Sequence, residues 1–144
     1  MNPRDFLGIA TKLSNGNTSA EYRTAVSRAY YAVYNVGVEV LGSMGIHISE
    51  GPQGHAHLQH DLGNCGDLEL AKIGIQLGDL HHKRIMADYK VSDIRHDSQK
   101  TSQALVRQAE KMISSLDQCT ASPRRNNIEK AIKEYRHKIG DKNF

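Results

Sequence analysis

Between Ser19 and Met44, apolar side chains recur at steps of three and four: Tyr22, Val26, Ala29, Val33, Val36, Val40 and Met44. At about 100° per residue these fall on one broad face, with Tyr30 and Gly37 at its edge. The pattern predicts an amphipathic helix with a core stripe. "SNGNTS" before it reads as a turn, and Ser19 or Thr18 can cap the helix. With Ser19 in that role, Glu21 and Tyr22 open it. A second long helix begins at Asp67 and ends near Tyr89, with Ile73, Leu77 and Leu80 along one seam. A third spans roughly 94–118, capped by Ser92 or Asp93. Shorter helices are expected at 3–13, 57–64 and 124–139, the last stopping at Gly140.

Pro3, Pro52 and Pro123 punctuate the chain without interrupting these segments, and no stretch alternates as a strand does. The fold class is therefore all-α. Long helices with short connections pack as an up-and-down bundle, here of four to five helices in one domain over 1–144. A chain of 144 residues suits one domain with its own core.

No run of eighteen apolar residues is present, so no membrane span and no membrane partner is expected. "MNPRDFLGIATKL" lacks the apolar core and cleavage site of a signal peptide, which points to the cytoplasm. Cys65 and Cys119 stand apart and read as free thiols, with a single disulfide left open. Charge changes the picture only at one end. Positions 123–144 hold seven Lys/Arg against three Asp/Glu, although the whole chain is only +3. Such a tail is either a solvated helix face or a surface for phosphate or an acidic partner.

The two long helices break their own patterns. Opposite the core stripe of the first, Arg28, Asn35 and Glu39 line up around Ala32, flanked by Tyr31. That ridge is either a solvated ion-pair face or a contact surface, and Arg with Tyr favours contact. On the second helix the seam Ile73, Leu77, Leu80 continues to Arg84, where a hydrophobe is expected. Asp88 lies one turn on, Tyr89 follows, and His81 and His82 precede. The guanidinium either leaves for solvent beside Asp88 or sits at a cleft rim, where its fork of donors suits phosphate.

"SRAYYAVYNVGVEVL" resembles the opening helix of HEPN-domain proteins, and "LGDLHHKRIMADYKV" resembles a later helix in which Arg and Ala-Asp-Tyr recur. "GHAHLQHDLG" is loosely similar to the segment between them. The match covers about 19–91, in the family's order. The resemblance implies a dimeric helical bundle. Many such proteins bind RNA, many are metal-independent endoribonucleases, and several are toxins beside a nucleotidyltransferase antitoxin or act in phage defence. In active members an Arg precedes a His by a short spacer, and two copies build one composite site. At that spacing after Arg84 stand Tyr89, Lys90 and Val91. Arg84 carries over; the histidine does not.

Metal-free RNA cleavage needs a base for the 2′-hydroxyl and a cation for the developing phosphorane charge. Arg84 suits the second task, and His81 or His82 the first. Tyr89 is a poor base, and Asp88 accepts the proton only where burial raises its pKa. The expectation is a groove shared by both helices in a homodimer. Arg28 and Arg84 would hold phosphate, Tyr31 and Tyr89 would meet nucleotides, and Asn35 and Glu39 would extend the ridge. The rivals are a non-catalytic module that binds a protein such as a nucleotidyltransferase, and small-ligand binding within the bundle. His55, His57, His60, Asp61 and Cys65 are zinc-ligand types, but their spacing matches no standard finger. No glycine-rich stretch follows a strand, as a nucleotide loop requires. Neither a metal nor a cofactor is expected.

Overall fold

The computed structural model describes residues 1–140. It contains six helices: α1 (Asp5–Ser14), α2 (Ser19–Ser43), α3 (Gln53–Gly63), α4 (Leu68–Tyr89), α5 (Gln99–Asp117) and α6 (Arg124–Lys138), with a 3-10 turn at Ile94–His96. The described residues include no strand. All six segments expected to be helical form, one more than the four to five helices expected of the bundle, and the third begins at Gln53 rather than His57. None of the described helices is long and apolar enough to cross a membrane. Asp141 and Lys142, at the end of the basic tail, lie outside the described residues.

Capping corrects two expected boundaries. Thr18, not Ser19, caps α2: its hydroxyl accepts from the Glu21 amide at 3.2 Å, and the Glu21 carboxylate accepts from the Asn17 amide at 3.1 Å. This reciprocal arrangement satisfies donors that the first helical turn leaves orphaned. The third long helix does not begin at Ile94. Asp93 caps only the 3-10 turn, and Ser98 caps α5 by accepting from the Thr101 amide at 3.2 Å. Arg23 explains the break. It reaches across from α2 to the Asp93 carbonyl and, at 2.7 Å, to the Asp97 carboxylate. Those contacts fix the backbone in a turn that local propensity would have let run on.

Side-chain contacts set the helix directions. Arg4 at the start of α1 meets Glu39 late in α2 and Asp117 at the end of α5. Gln99 at the start of α5 donates to the Ser14 carbonyl. Arg23 early in α2 meets the last carbonyls of α4. So α1 and α4 run one way, α2 and α5 the other, as an up-and-down bundle requires. α2 is the central helix. Ala32, on the face opposite its core stripe, is fully buried along with Ala25 and Leu41. The ridge of Arg28 and Glu39 therefore faces α1 rather than open water: Arg28 lies over the Phe6 ring and Glu39 pairs with Arg4.

α3 lies on α2 and α4, and glycines permit the approach. A Cβ at Gly54 would lie 2.3 Å from the Ser49 carbonyl oxygen, and one at Gly74 would lie 3.1 Å from that of Gln59. α6 is fastened by charge. Arg136 binds Asp61 at 3.0 and 2.5 Å with both side chains buried, and Arg124 binds Asp67 at 2.7 Å. Arg125 donates to the Ser43 carbonyl, and Lys133 pairs with Glu129 within the helix. Four cations of the basic segment are thus engaged within the chain rather than offered to a partner.

Candidate functional site

Arg84 replaces a hydrophobe on the α4 seam, and the consequence is burial: the residue is only 8% exposed. Its guanidinium carbon lies 5.7 Å from the Tyr30 ring centroid, 5.2 Å from Tyr31 and 5.9 Å from Tyr89. These are cation–π distances. Among the described residues the only carboxylate it meets is Asp88, one turn along, at 3.4 Å, and its Nε has no hydrogen-bond partner. Asp88 also accepts from the Ser27 hydroxyl at 3.1 Å. Arg28 packs over Tyr31 at 5.0 Å, on the side toward α1. The two segments that resemble HEPN helices therefore touch through Ser27, Tyr30 and Tyr31 on α2 and Arg84 and Asp88 on α4.

Two histidines complete the cluster. His55 of α3 and His81 of α4 stack with centroids 4.5 Å apart, and His81 also stacks on Tyr30 at 5.0 Å. The Tyr30 hydroxyl lies 2.5 Å from His55 Nδ1. Burial, then the neighbouring Tyr34, pushes the Tyr30 phenol up, so it stays protonated. Burial, then Arg84, holds His55 below the usual histidine range. His81 falls to about 4 through burial, then the fields of His55, Arg84 and His82. Both imidazoles are neutral at pH 7 beside a fixed cation.

This site unites Arg28, Tyr31, Arg84, Asp88, Tyr89 and His81. Tyr89 is 69% exposed, so it can leave the guanidinium without disturbing the core. The remaining expected residues go elsewhere. Asn35 donates its side-chain amide to the Tyr31 carbonyl at 2.7 Å. Glu39 is held by Arg4. His82 lies on another face of α4 and lines a separate cavity with His96. The His-rich segment disperses: His57 meets Ser49, Asp61 binds Arg136, and the Cys65 thiol faces the Asp67 carbonyl. Among the described residues, no three His, Cys, Asp or Glu side chains converge as a metal site would need. Both cysteines are free and buried. A recess of about 620 Å³ along α6 is lined by that helix alone, its Glu and Lys side chains interleaved.

Sequence reasoning missed Tyr30, His55 and Arg23. Tyr30 was assigned to the edge of the core stripe, and its hydroxyl was the available clue: a buried phenol needs a partner. His55 had no local signal, because its partners come from α2 and α4. No protein-family model matches the chain, and no curated protein or solved structure is significantly similar to it.

Proposed function

We propose that this chain is an RNA-directed protein of the HEPN type, a homodimer whose Arg84 clusters meet to bind the ribose–phosphate backbone and cleave it without a metal. The observation that carries the reading is the Arg84 guanidinium: buried among aromatic rings, with a free Nε and one long carboxylate contact. Donors kept ready in a site of low polarity are what a developing phosphorane charge needs. The missing sequence histidine has a spatial substitute, since His81 and His55 stand beside the same rings.

In this reaction the 2′-oxygen attacks phosphorus and its proton passes to the neutral His81 imidazole. The bond to the 5′-oxygen breaks, and the proton that His81 has taken passes on to that oxygen. The products are a 2′,3′-cyclic phosphate and a 5′-hydroxyl. A bound phosphodiester offsets the Arg84 field that lowers His81, bringing the imidazole nearer the range in which it can hold a proton.

The test is cleavage of total and synthetic RNA in chelator, with ends identified by their phosphorylation state. Wild type is expected to leave cyclic phosphate ends. Arg84→Lys is expected to lose about 10²-fold or more in rate, because an ammonium cannot reproduce the fork. His81→Gln is expected to lose activity with a changed pH profile. No cleavage, together with RNA binding that is salt-sensitive and weakened in Arg84→Lys, would overturn the catalytic reading and leave RNA binding. Neither cleavage nor binding would overturn the RNA reading altogether.

A further inference from the structure

A second cavity lies on the other side of α4, lined by His82, Lys83, Met86, Arg95, His96 and Leu105. Its volume of about 370 Å³ is within the range of about 300–1,000 Å³ typical of small-molecule sites. We propose that it binds a phosphate monoester of nucleoside 5′-monophosphate size. Lys83 and Arg95 hold the phosphate, and Met86 and Leu105 support the organic body. The inference does not rest on the function proposed for Arg84.

The charges argue for an anion. Lys83 and His82 form no ion pair among the described residues. Arg95 gives its Nε and Nη2 to Asp93, which leaves Nη1 without a partner among the described residues. Asp97, the other nearby acid, is engaged by Arg23. Lys83, Arg95 and two imidazoles thus face one local carboxylate, an excess of positive charge that suits an anion.

His96 provides the independent observation. It is only 7% exposed, and its Nδ1 is buried with no hydrogen-bond partner. A polar ring atom without a partner in a core costs stability unless something meets it. The ring lines this cavity, and the charges around it, Arg23, Arg95 and Lys83, are mostly positive. A phosphate in the cavity would offset those charges. The opposite wall is apolar, so the ligand has an apolar or aromatic part and is not bare phosphate alone.

The experiment is a titration of the full chain with adenosine 5′-monophosphate, inorganic phosphate, and a short oligoribonucleotide lacking terminal phosphate, at constant ionic strength. Histidine ring resonances and calorimetry are the readouts. Saturable binding of the monophosphate that moves the His96 resonances is expected, with inorganic phosphate competing more weakly. Lys83→Gln or Arg95→Gln is expected to weaken it at least tenfold, while Arg84→Lys leaves it unchanged. Absence of saturable binding, binding indifferent to both cavity variants, or binding of the oligoribonucleotide alone would each overturn the proposal.

Discussion

Replacing Gly54 with alanine tests how the site is assembled, because this glycine lets α3 bring His55 to Tyr30. A Cβ there would stand 2.3 Å from the Ser49 carbonyl oxygen and 2.6 Å from the Tyr34 hydroxyl. The carbonyl is backbone and yields little, and comfortable carbon–oxygen contacts begin at about 3.3 Å. The first turn of α3 must therefore retreat by about 1 Å. His55 is the next residue, so its 2.5 Å contact with the Tyr30 hydroxyl opens to the limit of a hydrogen bond. Overpacking costs about 1–3 kcal/mol, and the lost hydrogen bond costs about 1 more. Alanine's better helix propensity returns at most about 1 kcal/mol. The net is a destabilisation of about 1–3 kcal/mol, which for a domain of this size lowers Tm by roughly 3–12 °C. Thermal melts followed by circular dichroism measure it, and histidine resonances report the displacement of His55. Gly8→Ala is the control, since nothing lies within 4 Å of a Cβ there, and its Tm is expected to hold or rise slightly. A Gly54→Ala protein that melts with wild type and keeps its His55 resonances would refute the close approach of α3.

Three further outcomes follow from the charged groups. His81 titrates near 4 in the folded chain and near 6.5 when unfolded, so below pH 6.5 the unfolded chain gains a proton that the folded one does not. Stability is expected to fall between pH 6.5 and 4 by about 1–2 kcal/mol, after allowance for the ring's partial exposure. His81→Gln is expected to remove most of that loss in urea unfolding at pH 7 and pH 4.5, and an equal loss in both proteins would sink the assignment. Arg136→Met strands the buried Asp61 carboxylate and is expected to cost about 3–5 kcal/mol. Arg84→Met leaves only the partly solvated Asp88 and is expected to melt at or above wild type; a loss as large as that of Arg136→Met would show Arg84 to be a structural residue.

The sequence made legible what a single helix can encode. The stripe from Val26 to Met44 is buried as its period demands, and the break at Arg84 does mark a guanidinium inside the protein. What escaped was set by neighbours distant in the chain. Ala32 reads as the centre of a solvated face, yet it is core. The segment after Asp93 looked helical throughout, and only Arg23 divides it. His55 looked like part of a polar loop, and only the packing of α3 brings it onto His81 and Tyr30. Helical period constrains which residues share a face, but says nothing of what that face meets.

The three buried arginines among the described residues are satisfied to different degrees. Arg23 binds Asp97 at 2.7 Å and donates to the carbonyls of Ala87 at 3.0 Å and Lys90 at 3.3 Å. It thereby satisfies acceptors that the end of α4 would otherwise leave open. Arg136 makes a two-toothed pair with Asp61. Each has the complement of partners that offsets the desolvation of a guanidinium. Arg84 has the same burial without that compensation: one contact at 3.4 Å, an orphaned Nε, and ring faces. Cation–π contacts contribute about 0.5–2 kcal/mol each, whereas every buried donor left unmatched costs about 1–3 kcal/mol. A hydrophobe at position 84 would continue the seam with no such deficit. Three ring contacts and one orphaned donor are of similar size, so stability does not demand this arginine, and an anion drawn to the cluster would supply the acceptor that Nε lacks.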